Sequence, residues 1–99
     1  MKKYCKDFKV VENTSLTPSF FRLTLELDEK LPEINPGQFV EILINNEKDV
    51  FLRRPLSIHD VYEDKNQILI LVQIVGKGTL ALSKVKVGEY LNMVFPLGK

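Results

Sequence analysis

The sequence predicts an all-β domain, a small antiparallel barrel or sandwich of six strands with one short helix. Three observations lead there. Apolar residues recur at every second position, or in short unbroken runs, with turn residues between the runs. Only residues 76–84 read as helix. The chain has 99 residues, room for one hydrophobic core and not two, so residues 1–99 are expected to form a single domain.

The strands follow in order. Residues 5–11 mix Phe8, Val10 and Val11 with charges and read as an irregular first strand. Phe21, Leu23, Leu25 and Leu27 then alternate with Arg22, Thr24 and Glu26, giving a second strand with one buried face. Residues 38–45 form a third, introduced by the turn dipeptide Pro36-Gly37. Residues 55–59 are a short fourth strand; Pro55 cannot donate a ladder hydrogen bond and is expected at its start. Residues 67–75 are apolar nearly throughout, as a strand covered on both faces would be. The last strand, 89–95, stops at Pro96. Residues 45–49 and 62–66 are polar loops. In the one helical segment Thr79 is the expected N-cap, and Leu80, Ala81 and Leu82 favour helix.

Composition excludes several functions. Fourteen basic residues against 13 acidic ones leave a net charge of +1, too little for broad electrostatic binding of nucleic acid. No apolar run approaches the ~18 residues of a membrane-spanning helix. Cys5 is the only cysteine, so the chain cannot form an internal disulfide, and it lacks the thiols of an iron–sulfur cluster. Two early lysines without a following apolar stretch do not make a secretory signal, and a reducing cytoplasm is expected. Cys5 reads as a small buried or half-buried residue.

Two segments carry chemistry. Arg53 and Arg54 stand before Pro55-Leu56-Ser57. Arginine offers a fixed fork of donors suited to phosphate. Alternation puts Arg54 and Leu56 on one face and Pro55 and Ser57 on the other, unless an irregularity at Pro55 aims Arg54 and Ser57 together. A solvated arginine pair at a strand entrance fits the same residues. The second segment, Gly76-Lys77-Gly78-Thr79, precedes the helix. Helix N-termini hold unpaired N–H groups, and glycines allow a ligand close to the backbone. A plain glycine turn before a capped helix fits equally. The Thr79 hydroxyl can cap the helix or donate to a phosphate, but one hydroxyl cannot do both in full. His59 has no acidic partner at a spacing that suggests a catalytic triad.

Taken together, Pro36-Gly37-Gln38-Phe39, Arg54-Pro55-Leu56-Ser57 and Gly76-Lys77-Gly78-Thr79 resemble the FAD-binding barrel of the ferredoxin–NADP reductase superfamily. The doubled arginine is most similar to the branch of electron-transfer subunits of dihydroorotate dehydrogenase B. The resemblance implies a six-stranded antiparallel Greek-key barrel with one capping helix. It implies that Arg54 meets the FAD diphosphate, that Ser57 lies near flavin N5, and that Pro55 and Leu56 line the flavin. Leu71, Val72 and Gln73 would contact the flavin and ribityl chain, largely through backbone. Gly76, Gly78 and Thr79 would form the diphosphate-binding helix start. Family members continue into a nicotinamide-nucleotide domain, and this branch adds a cysteine-rich cluster segment and a catalytic dihydroorotate dehydrogenase subunit as partner. This chain is accordingly expected to be an isolated or truncated domain without nicotinamide-dependent turnover of its own. The other reading is a barrel that has lost flavin and serves protein interaction, as a homodimer. Both turn on whether the Arg54 guanidinium and the glycine-lined helix tip converge.

Overall fold

The computed structural model describes residues 2–44 and 53–98. The polar loop expected at 45–49, the last residue of the expected third strand, Asn45, and Phe51-Leu52 lie outside the described residues. The strands are β1 (Tyr4–Thr17), β2 (Phe20–Glu26), β3 (Phe39–Leu43), β4 (Arg53–Ser57), β5 (Asp60–Tyr62), β6 (Gln67–Gln73) and β7 (Tyr90–Leu97), with one helix, α1 (Lys77–Leu82). All pair antiparallel in one sheet of order β4-β3-β7-β1-β2-β6-β5.

The expected all-β architecture with a single short helix is present. The sheet curls toward a barrel, yet β4 and β5 at its two ends share no ladder, so the barrel is approximate. Only Ile58 and His59 separate those end strands in the chain. The Ile58 N–H donates to Gln38 O at 3.2 Å on one side of this corner, and the His59 N–H donates to Leu69 O at 2.9 Å on the other.

Four expectations need correction. Seven strands are described, not six, because β5 forms where Tyr62 was expected to begin a loop; a 3-10 turn, Glu63–Lys65, and left-handed Asn66 complete that reversal. β1 runs on to Thr17, bulging between Val10 and Glu12 and again between Ser15 and Thr17. Each bulge absorbs an extra residue, which is why its alternation reads as irregular. Pro55 lies in the middle of β4 rather than at its start, and this is allowed because β4 is an edge strand. Pro96 lies inside β7, which ends at Leu97.

The turn before β3 follows its local chemistry. Pro36 and Gly37 are its central residues, Gly37 has φ +88°, and the Gln38 N–H returns to Asn35 O at 3.2 Å. A positive φ at that position favours glycine. The inward faces of the strands fill one core: Phe8, Val10, Leu23, Leu25, Val40, Ile42, Ile68, Ile70, Met93 and Phe95 are fully buried. The segment from β2 to β3 crosses one end of this core and lays Leu27 and Leu31 against it.

The outer face of β1–β2 carries a polar staple. The Glu12 carboxylate accepts from Arg22 Nη2 at 2.8 Å, Thr24 Oγ1 at 2.7 Å and Thr14 Oγ1 at 2.9 Å. The Arg22 hydrogen bond, followed by that of Thr24, lowers the Glu12 pKa from 4.5 to about 2. A carboxyl whose folded pKa lies below its unfolded one stabilises the fold above the unfolded value, and that contribution is lost as pH falls. Wild type is therefore expected to lose denaturation midpoint between pH 4.5 and 2 more steeply than Glu12→Gln. Parallel slopes in urea melts across that window would remove the staple from the stability of the fold.

Candidate functional site

β4 pairs with β3 in unbroken register: Ile42 faces Arg54, Val40 faces Leu56, and Phe39 faces Ser57. Directly paired residues share a face. Ile42 and Val40 are fully buried, so Arg54 and Leu56 stand on the core side of the sheet, at its edge. Leu56 is half-buried, and Arg54 is exposed. No bulge intervenes at Pro55, so Ser57 and Pro55 point to the outer face, where both are exposed. The register does not bring Ser57 beside Arg54.

It does bring Arg54 to the helix tip. A Cβ placed on Gly78 would sit 3.0 Å from Arg54 Nε, 3.5 Å from Arg54 Cγ and 3.6 Å from Ile44 Cδ1. The guanidinium arm therefore lies across the bare backbone of the first turn of α1, in space that any other residue at position 78 would occupy. The two groups whose convergence the sequence left open meet here. Ile44 completes the contact, and sequence reasoning missed it because it belongs to neither motif.

The two arginines differ in what engages them. Arg54 makes no hydrogen bond or ion pair among the described residues. Arg53, on the outer face, donates from Nη1 to Glu41 O and Asn92 O, each at 3.4 Å, and from Nη2 to Asn92 Oδ1 and, at 3.8 Å, to Cys5 Sγ. Cys5 is exposed, contrary to the buried or half-buried position expected, because its odd-numbered place on β1 faces outward.

The helix start differs from expectation. Gly76, in extended conformation, is the N-cap, and Thr79 is the third helical residue. Thr79 is buried, and its Oγ1 accepts from Val75 N at 2.8 Å and Gly76 N at 3.2 Å while donating to Gly76 O at 3.2 Å. One hydroxyl has one proton and two lone pairs, so that group is fully used in holding the turn. What Thr79 has left to offer a ligand is backbone. At the far end of α1, Asn13 Nδ2 donates to Ser83 O at 3.0 Å and Val85 O at 2.8 Å, tying the helix to β1. No spacing rule could have found Asn13, which acts across 70 residues.

Leu71, Val72 and Gln73 lie on β6 beyond the end of β5, whose pairing covers only Gln67–Leu69. There β6 has β2 on one side and, among the described residues, no ladder partner on the other. Val72 is buried and has only backbone to offer, whereas Leu71 and Gln73 face outward and are exposed. The expectation of a strand covered on both faces therefore holds for Ile68–Ile70 and fails from Leu71 on. The described residues thus join an edge arginine with no hydrogen-bond or ion-pair partner among them, an unpaired strand edge and a helix turn bare of side chains at Gly76 and Gly78. Such a set can receive an extended, phosphate-bearing ligand: the guanidinium offers charge-assisted donors, and the turn offers backbone N–H groups.

The other candidates do not assemble. The His59 and Asp60 side chains show no mutual hydrogen bond, and Asp60 Oδ1 accepts from Val61 N at 2.8 Å. Among the described residues no His, Cys, Asp and Glu cluster suits a metal, and no helix is long and apolar enough to cross a membrane.

Comparison with known proteins matches residues 7–99 to the oxidoreductase FAD-binding domain family. The electron transfer subunit of dihydroorotate dehydrogenase B (NAD+) from Desulforamulus reducens is 37% identical over 93 residues, covering 94% of this chain and 36% of that protein. The corresponding homologue from Aquifex aeolicus is 39% identical over 92 residues, covering 92% and 36%. The chain thus spans little more than a third of the length of these curated relatives. Among solved structures, an NADH-dependent reduced ferredoxin-NADP oxidoreductase superposes with a TM-score of 0.82 at 28% identity, over 93% of this chain and 33% of that one. A ferredoxin reductase of carbazole 1,9a-dioxygenase gives 0.83 at 23% identity, over 99% and 30%, a likeness of fold.

Proposed function

Because the chain belongs to the oxidoreductase FAD-binding domain family, we propose that it holds FAD as the flavin module of an electron-transfer protein of the dihydroorotate dehydrogenase B type. The observation that carries this reading is the Arg54 side chain lying against Gly78, with no partner of its own among the described residues. The group fits the residues present. A diphosphate carries enough charge and oxygens for a guanidinium on one side and backbone N–H groups on the other, and glycine at position 78 leaves both within reach.

In this reading Arg54 binds and orients the diphosphate, and the backbone N–H groups of Gly78 and Thr79 close the far side, while Gly76, whose N–H is held by the Thr79 hydroxyl, keeps the approach free of a side chain. Leu56 and Pro55 line the path along β4. The open edge of β6 at Leu71, Val72 and Gln73 offers backbone groups to the ring system. Ser57, on the outer face, would reach a flavin only where the ring passes over the β4 edge. Bound FAD supplies the exchange between two-electron and one-electron carriers. The partner is the catalytic dihydroorotate dehydrogenase subunit, and the nicotinamide and cluster chemistry belongs to the remaining length that the relatives have.

Titrating the protein into FAD while following flavin fluorescence tests this directly. A saturable change at micromolar protein is expected. A flat titration, together with a homodimer indifferent to FAD by light scattering, would leave the protein-interaction reading instead.

A further inference from the structure

Arg53 reaches across the outer face of the sheet, past the neighbouring strand β3 to β7 and β1. Its guanidinium donates to Glu41 O on β3, to Asn92 O and Oδ1 on β7, and to Cys5 Sγ on β1. Asn92 is held in turn, since its Nδ2 donates to Asp7 Oδ1 on β1 at 2.9 Å. One polar chain therefore spans β4, β3, β7 and β1, four consecutive strands. Among the described residues β4 is the terminal strand, with β3 as its one ladder neighbour. An edge strand with one partner is the part of a sheet most free to fray. The Arg53 tie fastens its first residue to two strands beyond that partner.

The next residue along is Arg54, on the opposite face. From these contacts we infer that Arg53 is a positioning residue: it fixes the start of β4 against β7 and so sets the Arg54 guanidinium over Gly78, without contacting the ligand. This rests on the FAD reading above and goes beyond it. The doubled arginine then divides its labour, one side chain holding the strand and the other holding the anion. Lysine at position 53 is not an equivalent, because its single ammonium nitrogen cannot span the acceptors that Nη1 and Nη2 of Arg53 reach separately.

The test is a double-mutant cycle read by FAD affinity, with urea melts alongside. Arg53→Ala is expected to weaken FAD binding about three- to tenfold. In the Arg54→Ala background the same change is expected to have no further effect, because the group being positioned is gone. Asn92→Ala removes the Oδ1 acceptor and the link to Asp7 without altering charge, while the contacts to the Glu41 and Asn92 carbonyls remain, and a smaller loss of about two- to threefold is expected. A wild-type affinity in Asn92→Ala, or an Arg53→Ala penalty that persists undiminished in the Arg54→Ala background, overturns the inference. Failure of the wild-type protein to bind FAD sinks the underlying reading, and the two failures are therefore distinguishable.

Discussion

Arg54→Ala is expected to weaken FAD binding roughly ten- to hundredfold, about 1.5–3 kcal/mol, the value of a hydrogen bond to a charged group. It is also expected to leave the urea midpoint of the free protein unchanged. Both expectations come from the same geometry. The guanidinium is exposed and has no hydrogen-bond or ion-pair partner among the described residues, so its removal orphans nothing in the fold. What it loses is a fixed cation beside the helix turn, 3.0 Å from where a Cβ of residue 78 would be. Fluorescence titration and denaturation on the same preparations separate the two effects. Equal affinity losses from Arg53→Ala and Arg54→Ala would contradict the assignment of the anion to Arg54.

Phe8→Ala is expected to cost about 3–5 kcal/mol of folding stability. Phe8 is fully buried on β1, paired with Leu91 of β7 one residue before the β2 ladder begins at Lys9. Its ring meets Phe95 edge-on, with centroids 4.9 Å apart, an arrangement favoured by the ring quadrupoles. Truncation removes the ring's transfer free energy and leaves a void that flanking strands cannot close without breaking ladders. A domain of this size has on the order of 5–15 kcal/mol to lose, so the variant should be marginal at room temperature. Phe8→Leu, which retains most of the volume, should recover a large part of the difference. A urea midpoint for Phe8→Ala close to that of wild type would move the packing centre away from the Phe8–Phe95 pair.

Local chemistry was legible and non-local closure was not. The alternation of Phe21, Leu23 and Leu25 announced a half-buried strand because burial on one face imposes a period of two. Pro36-Gly37 announced its turn because a positive φ narrows the choice of residue. Pro55 and Pro96 misled for one reason: proline ends a strand only where its missing N–H would have had a partner, and that depends on neighbours distant in sequence. β5 carries no signal of its own, being three residues whose pairing with Gln67–Leu69 is set by the preceding corner. At the candidate site, residue types and spacing singled out both Arg54 and Gly78, which the fold brings side by side. The role of the Thr79 hydroxyl was undecidable until its three backbone partners were known. The Arg53–Asn92 tie joins residues 39 apart in the chain, beyond any pattern a linear reading can hold.

The corner at Ile58 and His59 joins the two ends of the sheet through covalent chain, while among the described residues no ladder runs between β4 and β6. The wall of the barrel therefore has a seam. Spreading it would break no ladder among the described residues; what resists is the corner itself, through the Ile58 N–H on Gln38 O and the His59 N–H on Leu69 O.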